Sequence, residues 1–356
     1  MDGTKKNFLN IDYAKVFGIY LVILGHFLRD FHIGITLSNF IYMFHMPLFF
    51  VISGFLYKQK TKEENYNIII TRLLIPYFLY QFLYLPIKAI YLSVSGDMNI
   101  FIVLLKSLAG IMIGDCYGTR FSILVCSVCW FLLTMIYIRL IFANIKLSKI
   151  NLITLSIASI ILLKILFILK FDLIFCIDNL LYTLPYFIMG YYFKEYIYPS
   201  FSDKKNLLSN NFIKILLFVL SFSAVYLILK TNGLIECNMK INHLVSQRSI
   251  LLSYIGGLAG TVGVILFSDL IKKDFKFIQV ISKNTLFIMF FHVFILLISK
   301  VAGIIPFAHK YFQGINLFIF VIIYGIVMLI FSYYTILFLE KKCPILLGKT
   351  KKKNNL

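Results

Sequence analysis

Apolar residues along this chain do not alternate with polar ones. They run in blocks of about twenty, separated by short lysine-bearing breaks. Eleven apolar stretches fall at 13–31, 40–57, 68–94, 98–113, 121–143, 151–170, 174–193, 211–230, 249–271, 285–303 and 315–338. A helix needs ~20 such residues to cross ~30 Å of hydrocarbon. The pattern therefore predicts an all-α polytopic membrane protein. The stretch 98–113 is the weakest, being short and interrupted by Lys106, Ser107 and Gly110, and it reads as a short or re-entrant helix. Setting it aside leaves about ten transmembrane crossings.

Charge then orients the set. Lys5 and Lys6 precede the first stretch, and Lys349, Lys351, Lys352 and Lys353 follow the last. Ten crossings place both termini in the cytoplasm, together with the lysine-bearing breaks at 58–62, 146–149, 194–205 and 272–283, as the positive-inside rule requires. The first apolar run has no small-residue cleavage site and is expected to stay as an anchor. No repeat or linker divides the chain, so 1–356 reads as one domain.

Composition excludes the main alternatives. The chain is 60% hydrophobic and 14% charged, with mean hydropathy +0.90, which leaves no room for a sizeable soluble domain. A net charge of +20 does not imply nucleic acid, because the lysines sit in the breaks rather than on a basic face with interleaved aromatics. The six cysteines show no metal-ligand spacing, so no metal site is expected.

Against this background the ionisable residues inside apolar stretches stand out, because they are costly in hydrocarbon. Lys15 and His26 are 11 residues apart in the first stretch, about 20° past three helical turns and ~16 Å along one stripe. Asp12 joins the same stripe, and Asp30, four residues after His26, is expected to reach the same ring. His45 lies at a comparable depth in the second stretch, and His292 lies inside 285–303. Arg72, in "TRLLIPY", sits near the cytoplasmic mouth at the depth of Lys15. Cations at the mouth suit a phosphate-bearing donor. A neutral imidazole deeper in suits proton abstraction.

Each of these residues has an ordinary reading as well. Lys15 can snorkel to the interface and Arg72 can serve topology. His45 and His292 can be satisfied packing histidines, and Asp30 a solvated helix end. Asp115 and Arg120 bracket "GDCYGTR" in an outer or re-entrant loop, and Trp130 in "CWFLL" can anchor an interface. The functional reading makes Asp115, Arg120, Trp130 and His292 candidates for binding the acceptor.

The run "IDYAKVFGIYLVILGH" resembles the opening helix of the acyltransferase 3 family of integral membrane acyltransferases. The stretches "FIYMFHMPLFFVISGFLYK", "RLLIPYFLY", "WFLLTMIYIRLI", "LPYFIMGYYF", "ISKNTLFIMFFHVFIL" and "CPILLGK" follow in that family's order. The resemblance is closest to the fucose 4-O-acetylase-like and exopolysaccharide O-acetyltransferase branch. It implies ten crossings in a bacterial cytoplasmic membrane and acetyl-CoA as donor. The implied acceptor is a hydroxyl of a surface glycan or lipid-linked sugar, with His26 catalytic and Lys15 its basic partner. An arginine pair of the family maps only partly, with Arg72 present and Ile69 in the other place. The rival expectations are a transporter or flippase for a polysaccharide precursor, and an acyltransferase for a non-sugar acceptor.

Overall fold

The structure, a computed structural model, describes residues 8–94, 100–115, 125–171, 173–198, 210–232 and 247–349. The described residues are helical with no strand. In chain order the helices are α1 (Leu9–Asp30), α2 (Ile35–Phe55), α3 (Lys62–Ile69), α4 (Ile75–Val94), α5 (Ile100–Met112), α6 (Trp130–Asn144) and α7 (Lys149–Leu169). They continue with α8 (Ile177–Tyr192), α9 (Asn211–Asn232), α10 (Gln247–Asp269), α11 (Lys276–Lys283), α12 (Thr285–Val301), α13 (Ile304–Tyr311) and α14 (Gly314–Lys342).

Eight helical segments among the described residues are long and apolar enough to cross a bilayer, or nine if the bent pair α11–α12 counts as one span. The expected crossing 174–193 supplies α8, 16 residues long, continued by a π-helical turn at Phe193–Ile197. This helix carries Asp178, Asn179 and Thr183, all buried by neighbouring protein. Helix α5 has 13 residues, only ~20 Å of rise, which is too short to cross. The bend of 81° between α11 and α12 sets the amphipathic α11 apart from the span that follows it.

Local chemistry explains the boundaries. The third span begins earlier than hydropathy indicates because a capping box starts α3. The Thr61 side chain accepts from the Glu64 N–H, and the Glu64 carboxylate accepts from the Thr61 N–H, each at 3.2 Å. Between α3 and α4 the chain widens into a π turn at Ile70–Leu74, a geometry frequent at functional sites. Pro47, Pro86 and Pro185 sit inside α2, α4 and α8, as membrane helices tolerate when neighbours satisfy the freed carbonyls.

Helices α1 and α2 form the centre. Their spans are 67% and 72% buried within the protein, against 22% for α7 and 17% for α9, which turn isoleucines and leucines outward. Helix α1 packs on α2, α10, α11, α12 and α14. The pairings Phe31–Phe320, Phe27–Tyr324 and Ile23–Gly325 make α1 and α14 antiparallel, so the Leu9 end and the Lys342 end share one face of the bundle.

The α2–α8 crossing brings the two backbones into close contact. A Cβ on Gly54 would collide with the Phe187 carbonyl oxygen, and one on Gly190 with that of Val51. Lipid tails do not drive helices together, so small residues that let backbones touch do much of that work.

Candidate active site

Three imidazoles from three helices meet in the half of the bundle away from the termini. The rings of His26 on α1 and His292 on α12 lie 4.9 Å apart. Tyr42 on α2 bridges the others, with ring centroids 5.3 Å from His26 and 4.8 Å from His45. The sequence places His26 and His45 at one depth, and the structure brings them together with His292.

The hydrogen bonds fix what each ring offers. His45 Nδ1 faces the Ile41 carbonyl at 3.0 Å, and His292 Nδ1 faces that of Ile288 at 3.1 Å. A carbonyl only accepts, so both rings carry their proton on Nδ1 and present Nε2 as a lone pair. His292 Nε2 is buried without a hydrogen-bond partner among the described residues. His26 differs: its Nδ1 lies 2.9 Å from the Tyr42 hydroxyl. The site therefore has one imidazole held by a hydroxyl and two held by backbone. Among the described residues no group of three His, Cys, Asp or Glu is arranged to hold a metal ion.

Tyr42 is held in turn. The Arg29 guanidinium sits 3.8 Å from the centroid of its ring and hydrogen-bonds Ser38 Oγ at 3.2 Å and Asn39 Oδ1 at 2.7 Å. Ser38 Oγ donates to the Gly25 carbonyl at 2.9 Å, tying the start of α2 to α1 beside His26. The ring partner of His26 is thus Tyr42 and not Asp30. Asp30 Oδ1 instead takes Lys300 Nζ at 2.9 Å, at the end of α12. Helical spacing brings Asp30 near the ring, but a cation from α12 captures the carboxylate.

The opposite face collects cations. Arg72 lies exposed on the π turn and Arg139, on α6, is half-buried and within charge contact of it. The Arg139 guanidinium is 5.7 Å from the Tyr57 ring centroid, and Lys194 Nζ donates to the Tyr57 carbonyl at 2.9 Å. Neither arginine makes an ion pair with a described carboxylate. The terminal turn Pro344–Leu347 closes against this corner, with Gly348 on the Arg72 backbone. Lys15 is half-buried in the α1 span and its charged neighbour is Asp12.

The remaining expected residues lie elsewhere. Trp130 opens α6 and is buried against Phe50, centroids 6.0 Å apart, so protein packing takes up its indole. Asp115 follows α5 beside Gly114, whose carbonyl accepts from the Cys176 thiol. Arg120 lies outside the described residues. Sequence reading missed Tyr42, one tyrosine among 23, and Arg139, which looks like any cation near a helix end.

A family model for an acyltransferase domain, Acyl_transf_3, matches residues 8–337. No curated protein and no solved structure matches the chain. The matched region takes in every helix of the imidazole cluster, the Lys15 stripe and the Arg72–Arg139 corner. This chain belongs to the acyltransferase 3 family and is a membrane acyltransferase.

Proposed function

We propose that this protein is an O-acetyltransferase. In this reading it moves an acetyl group from acetyl-CoA to a hydroxyl of a surface polysaccharide or lipid-linked sugar. It works as a single transmembrane domain of the bacterial cytoplasmic membrane. The observation that carries this reading is the imidazole of His26. Its Nδ1 is engaged by Tyr42, its Nε2 has no hydrogen bond among the described residues, and it lies on one helix stripe with Lys15.

The proton route takes His26 with its proton on Nδ1. His26 donates Nδ1–H to the Tyr42 hydroxyl oxygen and uses the Nε2 lone pair to take the acceptor's hydroxyl proton. The oxygen attacks the thioester carbonyl carbon and a C–O bond forms. The C–S bond then breaks, and His26 returns the proton to the departing CoA thiolate. With their protons on Nδ1, His45 and His292 present lone pairs at Nε2. They suit receiving hydroxyl protons of the sugar, which aligns the reacting oxygen, and they do not suit stabilising an oxyanion.

The donor's phosphates are assigned to Arg72 and Arg139. Two guanidinium groups in charge contact, neither paired with a described carboxylate, repel, and an anion held by both relieves the repulsion. Arg139 fills the role of the second family arginine that Ile69 leaves vacant in sequence. Lys15, ~16 Å below His26 on the α1 stripe, lies along the path for the pantetheine arm.

The test is a comparison of surface glycan from cells with and without the gene by NMR. O-acetyl signals that vanish with the gene and return with the wild-type copy support the reading. Identical spectra, in cells shown to make the protein, would remove the glycan acceptor.

A further inference from the structure

Helices α1, α4 and α12 run in the same direction past the imidazole cluster, and their far ends carry charge. Tyr80 on α4 stacks on Phe290 of α12, centroids 4.3 Å apart and 4° from parallel. About two turns further along, α4 carries Lys88, and nearly three turns further along α12 carries Lys300, next to its last residue Val301. Lys300 pairs with Asp30. Lys88 is half-buried and in charge contact with both Lys300 and Asp30, makes no ion pair with a described carboxylate, and lies 5.1 Å from the Tyr91 ring centroid. Two ammonium groups therefore lie in charge contact with one carboxylate, that of Asp30, about one helical turn beyond His26.

A lysine serving only as an interface anchor would extend its ammonium into water. Lys88 is instead held among protein beside a second cation, an arrangement that costs free energy unless an anion completes it. Asp30 is the only described carboxylate in charge contact with Lys88, and none is in charge contact with His26. Lys300 is in turn in charge contact with His26.

We propose that the acceptor is an anionic glycan, bearing a carboxylate or phosphate close to the hydroxyl that is acetylated. Lys88 binds that anion, and Lys300 shares itself between the anion and Asp30. This rests on the O-acetyltransferase reading. It adds that electrostatic selection occurs at the mouth of the site opposite the donor corner, so neutral glycans are poor acceptors.

Membranes carrying wild-type protein, Lys88→Gln or Lys88→Arg are incubated with radiolabelled acetyl-CoA and envelope glycan from cells lacking the gene. The glycan is first split by anion exchange into retained and unretained pools. Alkali-labile label should enter the retained pool. Lys88→Gln should raise the KM for that pool roughly tenfold, as expected for losing a charge-assisted contact, and leave the KM for acetyl-CoA unchanged. Lys88→Arg should restore the acceptor KM. Carboxyl reduction or dephosphorylation of the retained pool should abolish labelling in one arm, which names the anion. Label entering the unretained pool equally well, or an acceptor KM for Lys88→Gln within twofold of wild type, would overturn the proposal. Alkali-labile label in neither pool would overturn the acetyl-transfer reading itself.

Discussion

Replacing Tyr42 by Phe removes one oxygen and little else. The ring stays under the Arg29 guanidinium at 3.8 Å and keeps its edge-to-face contact with His45 at 4.8 Å, so α1 and α2 should remain docked. What is lost is the 2.9 Å bond to His26 Nδ1. In the proposed proton abstraction His26 becomes an imidazolium, and the Tyr42 oxygen then accepts from a charged donor. Such a bond contributes ~1.5–3 kcal/mol, and 1.36 kcal/mol is about tenfold in rate. The expected fall in kcat is therefore roughly ten- to a hundredfold. The KM for acetyl-CoA should be unchanged, because the Arg72–Arg139 corner lies on the opposite face. The assay is initial-rate acetyl transfer by purified protein in lipid, with thermal unfolding measured alongside. A kcat within threefold of wild type at matched stability would show that the hydroxyl does not orient the base.

Further outcomes are expected. Arg139→Gln and Arg72→Gln should each raise the KM for acetyl-CoA roughly tenfold while leaving turnover of a phosphate-free acetyl thioester unchanged; equal effects on both donors would argue against phosphate binding there. Gly54→Ala should destabilise the bundle by about 1–3 kcal/mol, because its Cβ meets the Phe187 carbonyl oxygen and backbone does not yield easily. That loss is read as a lower Tm, and an unchanged Tm would refute the close α2–α8 packing. Thr61→Ala should cost ~1 kcal/mol of stability through loss of the capping box, with kcat unaltered; no measurable loss would mean that α3 does not depend on its cap.

Much of the architecture is written in single-residue terms that sequence exposes. Blocks of apolar residues place the spans because hydrocarbon imposes one length on all of them, and the stripe of Lys15 and His26 follows from helical periodicity alone. What could not be read depends on partners far along the chain. Asp30 is four residues from His26, yet Lys300, 270 residues away in sequence, takes its carboxylate. Tyr42 owes its role to the tight turn that folds α2 back along α1, and nothing in its local sequence distinguishes it from other interfacial tyrosines. Arg139 acquires meaning only because α6 packs against the π turn that carries Arg72. The short α11 escaped because half of its residues are polar, and its separation from α12 is a bend that hydropathy averages away.

The central claim is that Nε2 of His26 removes the acceptor's proton. His26→Gln keeps a polar side chain at that position but has no titratable nitrogen. In membranes given radiolabelled acetyl-CoA and the native glycan, it should show no alkali-labile label above background, with normal amounts of folded protein and unchanged acetyl-CoA binding. Labelling by His26→Gln at the wild-type rate would contradict the account.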